Sequence, residues 1–238
     1  MPDAVVRYAA HEDGLVDVYL PAAPGPHPLV VYVHGGFWKQ EWDRRHARPL
    51  CAALAQQGYV VAVPEYRRVG GGGGWPTTAD DVDAAVAALP GLLAGLGVST
   101  TRSSYVGHSA GGQLVLWLAD QGHPVDRVVA LAPVGDLRAA ARDRLGGCAT
   151  QALLGGEPEE VPERYDAADP LARISTETPC ELVVLHGAKD DVVPLRNSRG
   201  LVAAHPHVEL VVLDDADHFA VIDPQSPVWP VLLERVAG

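Results

Sequence analysis

Short runs of apolar, mostly β-branched residues alternate along this chain with longer stretches rich in alanine and leucine. Strands that alternate with helices form crossover units, in which neighbouring strands pair in parallel. Several of the runs are apolar throughout, as expected of strands covered on both faces. The alternation therefore predicts an α/β fold. The predicted strands are residues 16–20, 29–33, 59–63, 104–106, 127–131, 181–185 and 208–213, and the predicted helices are residues 44–57, 78–96, 111–120, 195–204 and 228–236.

One further strand is predicted near the start of the chain. Val5 lies in a short apolar segment, which the sequence His-Glu-Asp-Gly at residues 11–14 separates from the run at 16–20. A polar turn that contains glycine favours an antiparallel hairpin leading into the sheet. We therefore expect a mostly parallel sheet of roughly eight strands, with helices on both faces.

Two segments depart from the alternation. Residues 67–77 contain five consecutive glycines followed by Trp75 and Pro76, and residues 137–179 are rich in glycine, proline and acids. Strands of the same character continue on both sides of each segment, so neither is a linker between domains. We expect a single domain over residues 1–238, in which residues 137–179 form a short cap-like excursion with one or two short helices.

The composition excludes several classes of protein. The chain has 18 lysines and arginines against 30 aspartates and glutamates, a formal net charge of −12, and no basic cluster that could follow phosphates, so we expect no nucleic-acid partner. Its three widely spaced cysteines form no disulfide framework. Neither a signal-peptide pattern nor an apolar run of about 20 residues is present. We expect a cytoplasmic protein without membrane contact; a homodimer is compatible with these features.

The sequence GHSAGG at residues 107–112 directly follows a predicted strand and precedes a predicted helix. A serine between two glycines in this context is typical of a tight turn that presents a nucleophile. The two glycines have no Cβ, so the chain can turn sharply. The helix N-terminus directs free N–H groups towards the reacting oxygen. Ser109 is the predicted nucleophile, and the alternative is a glycine-rich turn without chemistry.

The sequence HGGFW at residues 34–38 follows the predicted strand 29–33. Esterases and lipases place a loop at this point, and its N–H groups join that of the residue after the serine to bind an oxyanion. Such donors stabilise the charge that develops on the attacked carbonyl oxygen. The candidate donors are Gly36, Phe37 and Ala110, and the alternative is a simple turn marked by two glycines.

A serine hydroxyl needs a neighbouring base to take its proton, and this chain has ten histidines. Most of them lie in turns or in polar stretches typical of a solvated surface. His218 instead follows the last predicted strand. Ligand sites of open parallel sheets form at this carboxyl edge, so His218 is the predicted base.

The acid that orients the base is expected after the preceding strand, which gives the chain order Ser, Asp, His. Residues 186–194 read HGAKDDVVP. Asp190 is preferred because its spacing from His-Gly and from Val-Pro matches the usual G-x-x-D-x-x-V-P turn. Asp191 is the alternative. The acid would fix the imidazole tautomer and stabilise the imidazolium that forms.

Other patterns favour no ligand site. The glycine run at residues 70–74 lacks the Gly-Lys-Ser/Thr of a phosphate-binding loop, so we interpret it as a mobile flap over the site. The histidines and aspartates at residues 205–207 and 214–217 are of metal-binding types. They have no matching ligands at suitable spacing, and a surface role is favoured. We therefore expect neither a metal nor an organic cofactor.

Together, the motifs at residues 34–38, 107–112, 190–194 and 217–219 resemble those of the α/β-hydrolase superfamily, and they occur in the right order over nearly the whole chain. Within it, the HGGFW loop and the Asp-His-Phe ending are most similar to those of kynurenine formamidases (arylformamidases) and small esterases allied to them. The sequence Leu-Leu-Gly-Gly at residues 153–156 is also similar to that group.

The resemblance implies an α/β-hydrolase fold with a minimal cap and a triad of Ser109, Asp190 and His218. The chain departs from the lipase-type His-Gly-Gly-Gly loop at Phe37. The implied activity is cleavage of a small-molecule carboxylic ester or an N-formyl or aryl amide, such as N-formylkynurenine, through an acyl-enzyme. A peptidase or acyltransferase of the same fold and a non-catalytic binding protein are the alternatives.

Three aromatic residues near these motifs are candidate substrate contacts. Trp38, Trp75 and Phe219 could form an aromatic wall for an aryl leaving group, or they could equally belong to the core. The short excursion predicts an open pocket for small soluble substrates. The acidic charge disfavours a strongly anionic polymer as substrate.

Overall fold

The computed structural model describes residues 1–237, in which eight strands form one sheet. Each predicted strand is present, with bounds that differ by a few residues. The strands are β1 (Ala4–Arg7), β2 (Leu15–Tyr19), β3 (His27–Val33), β4 (Val60–Pro64), β5 (Thr100–His108), β6 (Arg127–Leu131), β7 (Glu181–Gly187) and β8 (Glu209–Leu213).

The strands lie in the order β1-β2-β4-β3-β5-β6-β7-β8 across the sheet. β1 pairs antiparallel with β2, and β2 pairs antiparallel with β4. The remaining neighbours are parallel. The hairpin and the mostly parallel sheet are therefore confirmed. β5 begins earlier than predicted because its first residues, from Thr100, are polar and exposed and carry no apolar signal.

Helices cover both faces of the sheet, as predicted. A 3₁₀ turn at Arg44–Ala47 precedes the first of them. The α-helices are α1 (Arg48–Gln56), α2 (Thr77–Gly95), α3 (Ala110–Leu118), α4 (Leu137–Arg142), α5 (Leu145–Leu154), α6 (Pro162–Ala168), α7 (Pro170–Arg173), α8 (Arg196–Ala204) and α9 (Trp229–Ala237). Within residues 1–237, none of the helices combines the length and apolar character needed to cross a bilayer.

The side chains of β3 show how the sheet joins two apolar layers. Val30 and Tyr32 belong to the cluster that includes residues of α1 and α9. Val31 and Val33 belong to the cluster that includes residues of α2, α3 and α8. All four side chains are fully buried, as expected of a central parallel strand. Burial on both faces fixes the strand ends, from which the loops of the site emerge.

The excursion at residues 137–179 contains four helices, α4 to α7, so the prediction of one or two is wrong. The helices are short, and two of them begin at a side-chain cap: Asp136 accepts from the Ala139 N–H at 2.8 Å before α4, and Asp169 accepts from the Leu171 N–H at 3.2 Å before α7. The segment packs against α3, where Gln113 Nε2 donates to the Ala168 carbonyl at 2.9 Å. It therefore covers a helix of the main body rather than standing alone.

A tight turn joins β5 to α3. A Cβ on Gly107 would lie 2.2 Å from the carbonyl oxygen of Gly111 and 2.8 Å from Val115 Cγ2. A Cβ on Gly111 would lie 2.1 Å from the Val33 carbonyl oxygen. Backbone atoms cannot move far enough to relieve contacts as short as these. Strand, turn and helix can approach each other this closely only with glycine at both positions.

We expect Gly107→Ala to lower the free energy of unfolding by ~2 to 4 kcal/mol, because the added methyl group collides with backbone. Urea denaturation measures the change. Gly91→Ala is the matched control: Gly91 lies in α2 with open space around it, so alanine should be neutral or stabilise by ~0.5 to 1 kcal/mol. A Gly107→Ala variant as stable as the wild type would contradict this account of the turn.

Candidate active site

A cavity of about 360 Å³ opens at the carboxyl edge of the parallel strands. Residues that follow β3, β5, β7 and β8 all contribute to it. Its walls are predominantly apolar and aromatic, and histidines are the side chains of the wall that can carry a charge. The lining residues are Gly36, Phe37, Trp42, His46, His108, Ser109, Val192, His218, Phe219 and Ile222.

Ser109 occupies the turn between β5 and α3 in a strained conformation, with φ of 55° and ψ of −115°. The end of β6 and the loop that follows it hold its backbone: its N–H donates to the Leu131 carbonyl at 2.8 Å, and its carbonyl accepts from the Val134 N–H at 3.2 Å. The turn places Ser109 on the cavity wall. This conformation is the one expected of a serine raised above a sheet edge as a nucleophile.

His218 lies on the same cavity wall, and Asp190 lies behind it. Asp190 Oδ2 accepts a hydrogen bond from His218 Nδ1 at 2.7 Å. This contact places a proton on Nδ1 and leaves the Nε2 lone pair of a neutral ring free. Within residues 1–237, no hydrogen bond joins the side chains of Ser109 and His218. Such contacts are often long before substrate binds.

Asp190 is held in place from several sides. Its Oδ1 accepts from the N–H groups of Val192 and Val193 at 2.9 and 2.8 Å. Oδ2 also lies 3.2 Å from His186 Nε2. Burial acts to raise the pKa of Asp190, but the hydrogen bonds from His186 and His218 outweigh it and hold the pKa well below its usual range. The group is therefore a fixed carboxylate.

The structure separates the two candidate acids. Asp190 is buried and contacts His218, whereas Asp191 is exposed and makes no hydrogen bond from its side chain within the described part of the chain. Of the two alternatives, only Asp190 is placed to orient the imidazole.

His108 is a residue of the site that the sequence interpretation assigned only to the turn. Its Nε2 donates to the His218 carbonyl at 2.9 Å, and its ring lies 4.6 Å from that of His218. Burial, together with the nearby His218, lowers the pKa of His108 to about 3. His108 is thus a neutral donor that fixes the backbone of His218. Its position beside Ser109 in the sequence is the signal that could have found it.

The three candidate oxyanion donors approach Ser109 from two elements. Gly36 and Phe37 line the cavity, with φ of 108° and 50°. Ala110 is buried and is the first residue of α3, so its N–H has no acceptor within the helix. The N-terminal end of α3 therefore directs an unpaired N–H and a partial positive charge to the Ser109 side of the cavity.

Of the three candidate substrate contacts, only Phe219 lies in the cavity, where it is 59% exposed. The prediction for Trp38 as a substrate contact is wrong: its side chain is fully buried, and its Nε1 donates to Gln113 Oε1 at 3.1 Å. Trp75 is half-buried and packs edge-on against Trp117, with ring centroids 5.7 Å apart. The core alternative therefore holds for Trp38, and Trp75 lies outside the cavity wall.

Trp42, His46, Val192 and Ile222 line the cavity but were not predicted from the sequence. Trp42 is 50% exposed, which is unusual for a tryptophan, and lines the cavity together with the exposed Phe219. The spacing of these residues along the chain carries no regular pattern. Their place in the cavity wall becomes evident only in the folded chain, where the loops bring them together.

The glycine run at residues 70–74 is not part of the cavity wall. It packs behind the loop at residues 34–42: Val69 N–H donates to the Trp38 carbonyl at 2.8 Å, and Gln40 N–H donates to the Val69 carbonyl at 3.0 Å. The interpretation of this run as a flap over the site is therefore wrong, because the segment supports the loop from behind.

Comparison with known proteins finds a matching family model and several similar proteins, esterases among them. The BD-FAE family model matches residues 16–204. The uncharacterized peptidase YtmA of Bacillus subtilis is 28% identical over 181 residues, covering 75% of this chain and 69% of that protein. Esterase LipQ of Mycobacterium tuberculosis is 28% identical over 198 residues, covering 76% of this chain. This chain spans only 47% of the length of LipQ.

The similarity to a kynurenine formamidase is confined to a short segment. The enzyme of Danio rerio is 40% identical over 62 residues, which cover 26% of this chain and 21% of that protein. The predicted formamidase resemblance is therefore partial, whereas the resemblance to esterases extends over three quarters of the chain.

Solved structures share the fold. A truncated carbohydrate esterase from gut microbiota superposes with a TM-score of 0.82 at 19% identity, covering 100% of this chain and 98% of that chain. Esterase B from Lactobacillus rhamnosis superposes with a TM-score of 0.79 at 21% identity, covering 98% of this chain and 83% of that one. The chain has the α/β-hydrolase fold and belongs to the BD-FAE family.

Proposed function

We propose that the protein is a serine hydrolase that cleaves a small-molecule carboxylic ester. The observation that carries this proposal is one cavity whose wall contains Ser109, at a strained turn, and His218, which Asp190 holds by a 2.7 Å hydrogen bond. The esterase names of relatives such as LipQ and the carboxylic ester hydrolase LipM support it.

The first step is attack of Ser109 Oγ on the ester carbonyl carbon. His218 Nε2 takes the hydroxyl proton, while the charge of Asp190 stabilises the imidazolium that forms. The carbonyl oxygen becomes an oxyanion. His218 then gives its proton to the leaving alcohol, and an acyl-enzyme remains on Ser109. Water, activated by the same histidine, releases the acid and restores the serine.

The oxyanion is assigned to the N–H groups of Gly36, Phe37 and Ala110. Gly36 and Phe37 line the cavity, and the N–H of Ala110 stands at the N-terminus of α3, directly after Ser109. Fixed donors of this kind stabilise the tetrahedral intermediate more than the substrate, and each is worth about 10²- to 10³-fold in kcat.

The cavity favours an uncharged substrate of modest size. Within residues 1–237, its wall contains no aspartate, glutamate, lysine or arginine, and aromatic rings of Trp42 and Phe219 form its rim. No residue of the excursion at 137–179 belongs to the wall, so this segment does not close the cavity. The net charge of −12 further disfavours polyanionic substrates.

A more specific candidate substrate is an N-formyl or aryl amide such as N-formylkynurenine. The segment shared with the zebrafish kynurenine formamidase and the aromatic rim at Phe219 support it. A peptidase activity is the second candidate, supported by the name of YtmA. Both would use the same nucleophile and base.

Comparison of three substrates separates these candidates. We expect p-nitrophenyl acetate to be hydrolysed at least about tenfold faster, as kcat/KM, than an aminoacyl p-nitroanilide, because the uncharged aromatic wall offers no partner for an ammonium group. N-formylkynurenine also carries an α-ammonium group, so hydrolysis of it as fast as of the acetate would favour the formamidase. Absorbance assays at fixed pH measure all three. A preference for the aminoacyl substrate would favour the peptidase instead.

Ser109→Ala should abolish turnover of p-nitrophenyl acetate, with a fall in kcat of about 10⁴-fold or more, because no other group supplies the nucleophile. A fluorophosphonate should label the wild type and leave the variant unlabelled. Circular dichroism checks that the variant is folded. Retained activity in a folded variant would reject the assignment, and absence of both labelling and turnover in the wild type would favour a non-catalytic binding protein.

Asp190→Asn should lower kcat by about 10⁴-fold, because an amide no longer fixes the tautomer of His218 or stabilises its charged form. Asp191→Asn, a change of the same chemistry at the adjacent exposed position, should leave kcat within about twofold. Steady-state kinetics on one ester measures both. The reverse ranking of the two variants would assign the acid to Asp191.

A further inference from the structure

A second cluster of buried charges lies behind the loop at residues 34–42, outside the cavity. Its centre is Glu65, which follows β4 and is 1% exposed. Two arginines and a histidine surround this group, and two other carboxylates complete the cluster. Its members are Asp13, Asp17, His34, Arg44, Glu65 and Arg68.

Glu65 reaches the start of the loop through His34. Its Oε1 accepts from His34 Nε2 at 2.8 Å. The other ring nitrogen, Nδ1, donates to the Gly35 carbonyl at 2.8 Å. Both ring nitrogens of His34 thus face oxygen atoms, and the ring links Glu65 to the Gly35 carbonyl. Tyr66 stacks on this ring, with centroids 4.3 Å apart, and so restricts its rotation.

The contact to the Gly35 carbonyl determines where the next N–H points. In a trans peptide, the C=O and N–H groups lie in one plane and point in opposite directions. His34 holds the carbonyl of the peptide between Gly35 and Gly36 on the side away from the cavity, and the Gly36 N–H therefore faces the other way. Gly36 lines the cavity beside Ser109.

Glu65 reaches the far end of the loop through Arg68. Arg68 Nη1 donates both to Glu65 Oε1 and to the Trp42 carbonyl, the latter at 3.0 Å. Its Nε donates to Gln40 Oε1 at 3.3 Å. One carboxylate thus joins the first and last residues of the loop. Glu65 Oε2 also accepts from the Arg44 N–H at 3.0 Å, just beyond the loop.

The glycine run completes the support of Arg68. The N–H groups of Gly71 and Gly73 donate to the Arg68 carbonyl at 2.8 and 2.9 Å. A Cβ on Gly73 would lie 2.1 Å from the Arg67 carbonyl oxygen, and one on Gly71 would lie 2.0 Å from Gln40 Oε1. The run therefore wraps the backbone of Arg68 as closely as the chain allows.

Glu65 is ionised at all pH values at which the protein would work. Burial acts to raise its pKa, but the hydrogen bond and charge of His34, together with the Arg44 N–H and Arg68, lower it to about 2. The charge of Glu65 is balanced by its partners within the cluster, so no unpaired charge is buried there.

We propose that Glu65 is a positioning residue that sets the N–H donors of Gly36 and Phe37 for the oxyanion, acting through His34 and Arg68. The proposal rests on the proposed hydrolase function. It assigns the buried charges and the glycine run to one task, because both hold the same loop from behind. Glu65 itself touches neither substrate nor Ser109.

Glu65→Gln keeps the shape of the side chain and removes its charge. We expect kcat on p-nitrophenyl acetate to fall by about 10- to 100-fold with KM within about twofold, since donors misplaced by a fraction of an ångström weaken only the transition state. Affinity for an aryl trifluoromethyl ketone, which forms an oxyanion on the serine, should fall by a similar factor. Affinity for the corresponding methyl ketone should not change.

Asp17→Asn is the matched control. Asp17 is also 1% exposed and belongs to the same cluster, but its hydrogen bond is to Arg44 Nε at 2.8 Å, and it makes none to residues 34–42 within the described chain. Its kcat should remain within about threefold of the wild type. Thermal unfolding identifies which variants are folded at the assay temperature. If Glu65→Gln does not fold, Arg68→Lys takes its place in the test. It keeps the charge but loses the forked donors, and it should show the same loss of kcat.

The positioning role is overturned if folded Glu65→Gln or Arg68→Lys retains wild-type kcat, if Asp17→Asn loses as much kcat, or if neither loop-contacting variant folds. In each of these cases the wild-type protein is still an active hydrolase. A wild type that neither hydrolyses esters nor reacts with a fluorophosphonate would instead reject the proposed hydrolase function itself.

Discussion

The close approach of β5, β3 and α3 at the Ser109 turn is the constraint on which the rest of the site depends. Gly107 and Gly111 leave no room for a side chain, and Ser109 adopts a conformation that is unfavourable for a residue with a Cβ. The strain persists because the surrounding sheet and helix are fully packed. The result is a hydroxyl held at the carboxyl edge of the sheet, next to the N-terminus of a helix.

The other groups of the site reach this hydroxyl from loops that are each fixed by buried polar contacts. Asp190 and His108 hold the side chain and the backbone of His218, respectively. Glu65 and Arg68 hold the loop that contains Gly36. Buried polar networks of this kind are costly unless every member is satisfied, so they specify one arrangement of the loops. These loops are therefore fixed before any substrate arrives.

The alternation of apolar runs was sufficient to predict the strands and a mostly parallel α/β sheet, because parallel strands buried on both faces leave a strong sequence signal. The α/β-hydrolase fold was predicted from the resemblance of the motifs at residues 34–38, 107–112, 190–194 and 217–219. The start of β5 escaped prediction because Thr100 and its neighbours are exposed and polar. The burial of Trp38 escaped prediction because its side-chain contact with Gln113 joins residues 75 positions apart, and periodicity carries no information on such a contact. The contacts of Glu65 join residues that are far apart in the chain, and a single sequence does not show that such residues are close in space.

The central claim is that Ser109 attacks a carbonyl whose oxygen then rests on the backbone donors of two loops. A crystal structure of the protein after reaction with a p-nitrophenyl alkylphosphonate, which releases p-nitrophenol, tests it most directly. The account predicts phosphorus bonded to Ser109 Oγ, with the phosphoryl oxygen about 3 Å from the nitrogen of Ala110 and from that of Gly36 or Phe37. Phosphorus on another residue, or a phosphoryl oxygen turned away from these N–H groups, would contradict it.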